Sequence, residues 1–507
     1  MSWLPSALSS LFAPQPIHEA VGTGRRGRIW APGNPGPAST SQYTADQLRV
    51  KARDLVRRNA WAYAGLDSFV SNCIGTGIKP QSTVNDAELR AAIQSLWLQW
   101  TDEADAAGLT DFYGLQALAC RAMVEGGECF IRLRYRSADE DLAVPMQLQV
   151  LEAEHVPLTK NEDLSVDVRI RAGIEFDAEG RRVAYHMYPM HPEDGMLGAE
   201  GGDLQTVRIP ASEIIHLYRP LRPGQIRGES WLSRALVKLN ELDQYDDAEL
   251  VRKKVAAMFV GFVTRATPED SLLGESIEDG MAATSLEPGT MQYLDPGDDV
   301  RFSQPADVGG QYGVFLRTQF RAVASAMGVT YEQLTGDLSG VNYSSIRAGL
   351  VEFRRRMEML QHTVIVHQLC RPVWNAWFDY AVLSGALMAP DYMADRRTHR
   401  ACKWIPQGWA WVDPEKEIKA LKAAIRAGLQ SRSAAVSSFL GEDAEIVDQE
   451  NAADNARADS LGLVFDSDPR NDARTIGTET VSVATDTETE PSDTTEPTTE
   501  PTTDKTP

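Results

Sequence analysis

The chain has 507 residues, 43% of them hydrophobic and 24% charged, which is typical of a globular protein with several domains. Its 72 acidic and 50 basic side chains give a net charge of −22. Because affinity for nucleic acid comes mostly from lysine and arginine, this balance argues against a conventional DNA-binding protein. One interpretation of the acidic charge is a channel wall that repels phosphates and lets a duplex slide. Composition alone favours the simpler interpretation that the charge keeps a large assembly soluble.

Targeting signals and cysteine spacing predict the location of the protein and the state of its thiols. No run of about 18 apolar residues occurs, so the sequence predicts no membrane-spanning helix. The start Met1-Ser2-Trp3-Leu4-Pro5 lacks the basic residues of a secretory signal, and we expect a cytoplasmic protein. Its five cysteines are widely spaced without a CxxC pair, which favours reduced core thiols over disulfides or a zinc site.

The chain begins with a region that has no periodicity. Residues 1–43 combine Arg25-Arg26-Gly27-Arg28 with prolines and glycines, and we expect an extended arm that either wraps a neighbouring chain or is disordered. Thr44 and Gln47 match a capping box, which predicts that a helix begins there. Apolar residues with helical spacing follow at Leu48, Ala52, Leu55, Ala62, Leu66, Phe69 and Cys73.

Strand patterns dominate from about residue 128 to residue 218. Apolar and polar residues alternate over 131–136 and 146–150, and a turn at Asp177–Gly180 precedes a further alternation over 183–187. Helical patterns lie before and after this region. The sequence therefore predicts an α+β fold.

The second half of the chain is mainly helical. A leucine-rich helical pattern covers 230–260, and residues 266–300 are short, acidic and rich in turns. Two more helical patterns follow, and the second runs to about Leu369, before Pro372. Asp413 is a good N-cap for a helix that begins with Pro414 and stops near Gly428.

The loop between these two helical patterns is the most distinctive segment of the chain. It is rich in glycine and in Asp or Asn, and Ser344 or Ser345 is the predicted cap of the second helix. Such a polar loop, held between two long helices, favours a flexible gate over a reaction site. The loop residues are Gly336, Asp337, Leu338, Ser339, Gly340, Val341, Asn342 and Tyr343.

A search for catalytic motifs finds no support for an enzyme. Gly75-x-Gly77 has Pro80 where a dinucleotide fingerprint needs its third glycine, and no GxxxxGK[ST], GxSxG or HExxH motif occurs. His362 and His367 are five residues apart and should not share one face of an α-helix. His216 is interpreted as a strand-end histidine bonded to backbone. We therefore predict no catalytic, cofactor-binding or metal-binding residues.

Four segments, in order along the chain, resemble signatures of portal proteins from lambda-type tailed bacteriophages. The resemblance extends over roughly residues 20–465, and it departs from the family at Cys73 and in the C-terminal tail. The tail, 478–507, holds twelve threonines and eight acidic residues, and we expect it to be disordered. The four segments are Asn72–Ser82, Arg222–Gly228, Leu334–Arg347 and Trp409–Pro414.

The resemblance implies a portal fold with an α+β wing, a helical stem, a small clip and a C-terminal helical crown. The loop would then line the central channel of a ring. The implied regions are an arm at 1–43, wing 44–229, stem helix 230–261, clip 262–305, stem helix 306–333, channel loop 334–344, long helix and wing 345–411, crown 412–465 and a tail at 466–507.

The resemblance also implies partners and a location. The chain would form a ring, usually of twelve copies, at one vertex of the viral head, through which a separate terminase motor drives double-stranded DNA. It would contact major capsid, scaffold and tail connector proteins in the virion, after assembly in the host cytoplasm. A DNA-processing enzyme of the same packaging system, a nuclease or maturation protease, and a scaffolding protein are the competing interpretations. The expected contacts with terminase and connector are Glu287, Asp295, Asp298 and Asp299.

Overall fold

The protein is described here by a computed structural model. The described residues are 33, 35–137, 139–194, 205–257, 261–265, 277–278, 281–282, 298–302, 312–409, 413–463 and 465. They belong to two compact units, Met1–Glu442 and Asp443–Pro507. Most of the predicted arm and clip, and the tail from 466 onward, lie outside the described residues.

Helices and strands alternate in a mixed order that confirms the predicted α+β class. None of the described helices is long and apolar enough to cross a bilayer. The α-helices are α1 Pro37–Arg58, α2 Ala60–Cys73, α3 Ala87–Glu103, α4 Phe112–Gly126, α5 Leu236–Ala257, α6 Tyr312–Met327, α7 Tyr331–Thr335, α8 Tyr343–Leu360, α9 Arg371–Leu383, α10 Arg396–His399, α11 Pro414–Arg426, α12 Arg432–Phe439 and α13 Ala444–Ser460.

The described strands pair antiparallel in five small sheets. A three-stranded sheet has the order β3-β2-β9, a five-stranded sheet runs β4 to β8, and the pairs β1–β14, β10–β13 and β11–β12 complete the set. The strands are β1 Lys79–Ser82, β2 Glu128–Tyr135, β3 Met146–Leu151, β4 Glu162–Asp163, β5 Arg169–Arg171, β6 Ile174–Phe176, β7 Arg182–Met187, β8 Val207–Pro210, β9 Ile214–Tyr218, β10 Gly261–Arg265, β11 Ile277–Glu278, β12 Met281–Ala282, β13 Asp298–Phe302 and β14 Cys402–Ile405.

The first helical region differs from its prediction at both its start and its middle. Helix α1 begins at Pro37, inside the predicted arm, because proline suits the first turn and its fixed φ favours helix. Thr44 therefore lies within the helix, and the predicted capping box is wrong. The chain breaks between α1 and α2 at Asn59, whose side chain accepts a hydrogen bond from the Ala62 amide.

The long helix after the loop continues through Pro372, where we expected it to end. Residues Gln361–Cys370 form a π-helix, and α9 follows directly. A proline clashes with the carbonyl four residues earlier, here Gln368, and the widened π-helical turn relaxes that contact. In a π-helix, residues five apart lie on the same side. The prediction that His362 and His367 do not share a helix face is therefore also wrong. Both histidines are exposed.

Two large apolar cores and a small third cluster of Ala45, Leu158 and Ala172 hold the first unit together. The larger core joins the helices to one face of the three-stranded sheet, and a smaller core fills the space between that sheet and the five-stranded sheet. Four tryptophans from α3 and α9 are at most 1% exposed, and their rings pack about Trp97 with centroids 4.9 Å from both Trp100 and Trp374. Such aromatic packing stabilises a core beyond the area it buries. The fourth is Trp377.

Helices α5 and α6 lie side by side. The Tyr245 ring stacks on Tyr312, with centroids 6.0 Å apart, and meets Phe315 edge-on at 5.3 Å. Beyond them, β10 pairs antiparallel with β13, so the chain leaves α5 and returns to α6 through a two-stranded ribbon. Along the chain, the acidic segment 266–300 therefore lies between the two predicted stem helices.

Candidate functional site

The start of the central loop is fixed to the helical core. Thr330 and Gln333 form a capping box at α7, with the Thr330 hydroxyl accepting from the Gln333 amide. Leu334 is 1% exposed and packs with Met327 against α2. A Cβ placed on Gly65 of α2 would lie 2.5 Å from Met327 Cε and 2.9 Å from Leu334 Cδ1. Glycine at this position therefore allows α7 to approach α2 closely.

Asp337 organises the loop itself. Its carboxylate accepts hydrogen bonds from the Ser339 amide at 2.9 Å and the Tyr331 hydroxyl at 2.9 Å, and Arg317 Nη2 lies 3.5 Å away. The bonds from Ser339, with the one from Tyr331, lower the pKa of Asp337 to about 2. Asp337 is therefore engaged in a local turn, since a carboxylate is stabilised by donors of its own chain.

The tip of the loop presents apolar surface on a backbone of unusual conformation. Leu338 is 64% exposed, and its carbonyl accepts a 3.4 Å hydrogen bond from the Val341 amide. Gly336 and Gly340 have φ of 68° and 77°, a region that side chains other than glycine rarely adopt. The tip can therefore change conformation at low steric cost while presenting Leu338 outward.

The loop ends two residues earlier than predicted. Asn342, and neither Ser344 nor Ser345, caps α8, and its side-chain oxygen accepts from the Ser345 amide at 2.8 Å. Tyr343 is consequently the first residue of the helix. Leu334 and Thr335 belong to α7, so the irregular segment is 336–342 instead of 334–344. Asparagine is among the best N-cap residues, and its position was a signal that the sequence interpretation missed.

The segment Asn72–Ser82 joins three parts of the core. Side-chain atoms of Gln116 bond both the amide and the carbonyl of Ile78, at 2.8 and 3.1 Å. The Gln361 side chain donates to the Cys73 carbonyl at 2.9 Å. Gly77 has φ of 102°, and a Cβ there would lie 2.3 Å from the Tyr113 ring. These contacts connect α2, α4 and the π-helix, so we assign the segment a structural role.

Replacing Gly77 with alanine should destabilise the protein by about 2–4 kcal/mol, because strain at positive φ adds to the clash with Tyr113. Gly180→Ala is the matched control, since Gly180 has φ of 79° and nothing within 4 Å of its added Cβ. Its cost should be about 1 kcal/mol. Chemical denaturation of both variants measures the difference, and equal costs would contradict the close packing of Tyr113.

The segment Arg222–Gly228 completes a fully buried ionic cluster. Glu128 and Arg227 are both at most 1% exposed, and the Arg227 guanidinium bonds both carboxylate oxygens, with Nη2 2.5 Å from Oε1 and Nε 3.0 Å from Oε2. The Gly228 amide donates to the same carboxylate at 2.8 Å. A Cβ on Gly228 would lie 2.1 Å from the Gly127 carbonyl oxygen. Arginine and glycine are therefore required here by packing.

His216 belongs to this cluster and is bonded differently from our expectation. It lies in the middle of β9, and its Nε2 is 3.0 Å from the Glu128 carboxylate, so it is not satisfied by backbone. Its ring stacks between Phe130 and Tyr218. Burial lowers the pKa of His216 to about 4, against the opposing effect of Glu128. Burial alone would raise the pKa of Glu128, but Arg227 and His216 hold it well below its usual range.

Acidification should destabilise the fold through His216. Its folded pKa of about 4 lies below the ordinary 6.5, so between these values the unfolded chain binds a proton that the folded chain does not. Stability contributed by neutral His216 is therefore lost as the pH falls from 6.5 towards 4. Thermal unfolding across this range should show a steeper decline for the native chain than for His216→Gln. His362→Gln, on the exposed side of the π-helix, is the control and should retain the native slope.

The late segment anchors the chain beside α8. Trp409 Nε1 donates to Glu358 at 3.2 Å, and the Arg354 guanidinium lies 5.4 Å from the Trp409 ring centroid. Asp413 caps α11 as predicted, and Gly428 with φ of 72° follows its end. The late segment therefore packs against the helix that follows the central loop.

The acidic contact residues are only partly described. Asp298 and Asp299 lie in β13, opposite Arg265 and Thr264 of β10. Glu287 and Asp295 lie outside the described residues.

One described cluster resembles a metal site and was not predicted. Ligand atoms of Glu152, Glu154 and His191 lie within 4.8 Å of one another. However, Arg53 already bonds both carboxylates, with 2.5 Å to Glu154 and 3.1 Å to Glu152, and Arg49 lies 3.5 Å from Glu154. A cation would have to displace the Arg53 guanidinium, so we interpret the group as an ion-pair network.

Comparison with solved structures gives matches of low similarity. A chain from the neck of a native gene transfer agent particle, computed with C12 symmetry, has a TM-score of 0.45 and 14% identity, over 81% of this chain and 96% of that one. A chain from the virion of a native gene transfer agent particle has a TM-score of 0.43 and 15% identity, over 80% and 94%.

Comparison with characterised sequences gives relatives along most of the chain. The probable portal protein of Halomonas phage phiHAP-1 is 26% identical over 434 residues, 82% of each chain. Portal proteins of Escherichia phages N15 and lambda are 23% and 20% identical, each over 81% of this chain and 84% of the relative. The model of the lambda-family phage portal proteins matches residues 23–361. Because this match spans more than half of the sequence, the chain belongs to the lambda family of phage portal proteins.

Proposed function

We propose that this chain is the subunit of a portal: a ring at one vertex of a phage-type capsid, through which DNA enters and leaves and to which the tail attaches. The observation that carries the proposal is the family match over residues 23–361, which contains three of the four segments, including the one with the loop. The protein is then part of the virion, assembled in the host cytoplasm. Terminase, capsid, scaffold and tail connector proteins are its partners.

Exposed apolar residues on the paired helices support ring formation. Val237 and Val251 of α5 are 76% and 56% exposed, and Val314 of α6 is 63% exposed. Apolar side chains that are exposed on one part of a protein surface are commonly covered by a partner. In a closed ring, two different faces of each subunit meet, so every copy would cover these residues on its neighbour. We propose twelve copies.

The regions of the portal follow from the element order. Helices α1–α4 and the two larger sheets form the wing, α5 and α6 the stem, and the β10–β13 ribbon the base of the clip. Helix α8 with the π-helix and α9 returns to the wing, and α11, α12 and α13 form the crown. The packing of Tyr245 on Tyr312 supports the assignment of α5 and α6 to one element.

The loop 336–342 is proposed to line the channel. Its support is a rigid base, provided by Leu334 against α2, and a tip with exposed Leu338 between two glycines. DNA would meet weak contacts without sequence preference, repeated around the ring. Asp337 would act by holding the turn, because its carboxylate is occupied by Ser339 and Tyr331.

The proposed role is passive, with no enzymatic activity. The sequence has no nucleotide-binding or hydrolase motif, and the Glu152 cluster is neutralised by arginines. A nuclease or protease has no observation in its favour.

Imaging of the purified full-length protein by negative-stain electron microscopy tests the proposal. Rings with a central hole are expected, together with a sedimentation coefficient far above that of the monomer. A protein that stays monomeric at high concentration with magnesium would contradict it. ATP hydrolysis abolished by a single substitution would contradict the passive role.

Reversal of two acidic residues tests the clip. Asp298→Lys with Asp299→Lys should weaken terminase docking at least several-fold while rings still form, because the pair lies on the ribbon between the stem helices. Glu415→Lys with Glu417→Lys, on α11, is the control and should dock normally. Pull-down of terminase by assembled rings measures docking. Failure of ring assembly in the first variant, with normal assembly of the control, would assign the ribbon to the subunit interface.

A further inference from the structure

Three arginines converge on one cavity that no part of the proposed function uses. The cavity has a volume of about 250 Å³ and lies between the end of β9, the Trp231–Arg234 turn, the end of α6 and helix α8. Arg219, Arg234 and Arg356 line it, together with Ser233, Ser325 and one acidic residue, Glu229.

The three guanidinium groups lack acidic partners within the described part of the chain. None of them donates a hydrogen bond or forms an ion pair there, whereas neighbouring Arg355 pairs with Glu352 at 3.0 Å and Arg227 is fully paired. Burial, followed by repulsion from Arg234 and Arg356, lowers the pKa of Arg219. An anion between the three groups would relieve that repulsion.

The surrounding residues hold the arginines in place. The Arg219 guanidinium lies 4.9 Å from the Trp231 ring centroid, and that ring packs edge-on against Phe69 at 5.0 Å. Arg356 lies against Gly328, where an added Cβ would be 3.2 Å from its Nη1. The Arg219 guanidinium is therefore positioned by packing before any ligand arrives, which reduces the entropy lost on binding.

We propose that this cavity is a binding site for a phosphate group. Three guanidinium forks and two hydroxyls supply more donors and more positive charge than one carboxylate can satisfy, whereas phosphate offers several acceptor oxygens and up to two negative charges. The phosphate can come from inorganic phosphate or from a phosphodiester of DNA. The assignment does not depend on the portal role of the chain.

Titration calorimetry of the full-length protein with inorganic phosphate tests the site, against sodium chloride at equal ionic strength. Saturable binding is expected, and Arg356→Gln and Arg234→Gln should each weaken it about tenfold or more. Arg355→Gln is the matched control, since it removes an adjacent arginine of the same helix that is already paired, and it should bind phosphate normally.

A second titration with a short DNA duplex distinguishes the two sources. Weaker duplex binding in Arg356→Gln, with Arg355→Gln unchanged, assigns the site to the DNA backbone, and duplex binding unaffected by both assigns it to free phosphate. The absence of phosphate binding beyond the chloride control, or equal binding by Arg356→Gln, would overturn the proposal. If phosphate does not bind and Arg356→Gln instead dissociates the oligomer, the cavity receives acidic side chains of a second copy, and the phosphate assignment is wrong. Ring imaging of the native protein is independent of all these outcomes.

Discussion

Arg227→Met is expected to destabilise the protein by about 3–5 kcal/mol, because it leaves Glu128 charged and buried without its bidentate partner. Glu128 is at most 1% exposed, so water cannot replace the lost bonds. Arg227 also donates to the Ala172 carbonyl at 2.7 Å and the Ala153 carbonyl at 3.2 Å. The substitution therefore loosens the contact between the two larger sheets. Chemical denaturation followed by tryptophan fluorescence measures the loss.

Two further variants make this result specific. Arg181→Gln removes an ion pair with Asp177 whose arginine side chain is 71% exposed, and it should cost no more than about 1 kcal/mol. The double variant Arg227→Met with Glu128→Gln should lose less stability than the sum of the two single variants, because no charge remains buried alone. Additive losses would show that the ion pair is not the source of the effect.

Shortening the loop by removal of Ser339 and Gly340 is expected to leave rings intact and to reduce DNA packaging or retention severely. The deletion removes the Ser339 donor to Asp337, but it keeps the bond from Tyr331 to Asp337 and it keeps Asn342, which caps α8. A deletion that extended to Asn342 would also remove the cap, at about 1 kcal/mol, and would confuse the loss of a gate with the loss of a helix terminus. In vitro packaging with nuclease protection, beside negative-stain imaging, separates assembly from transport.

Asn342→Ala is the control for the loop experiment. It removes only the side-chain hydrogen bond to the Ser345 amide and keeps the loop length, so rings should package normally with slightly lower thermal stability. Shortened rings that package and retain full-length DNA would refute the gate. Shortened rings that fall apart would instead assign the loop to subunit packing.

Local signals in the sequence predicted the elements well where one short-range interaction decides them. Asp413 and Pro414 begin a helix because a carboxylate satisfies free amides and proline needs no donor there. The alternation over 131–136 became β2, since period-two burial is a local property of strands. At the start of the first helix, two signals competed, and Pro37 prevailed over the capping box at Thr44.

Other features depended on residues far apart in the chain. The π-helix, and with it the passage of the helix through Pro372, is a property of the packed core that no local rule predicts. The sequence shows where Gly77 and Gly228 stand in the chain. It does not show that Gly77 packs against Tyr113 and Gly228 against Gly127. The partner of His216 is Glu128, 88 residues away, so only the pairing of β2 with β9 brings the two together.

The sequence by itself determined the α+β class, the family and the place of the central loop between two helices, because patterns of burial and short motifs carry that information along the chain. The tertiary structure alone decided what the motif residues do. In the fold, Arg227 bonds Glu128, the Ser339 amide donates to the carboxylate of Asp337, and three arginines line one cavity. Charges act through space, so their partners are fixed only when distant segments pack together.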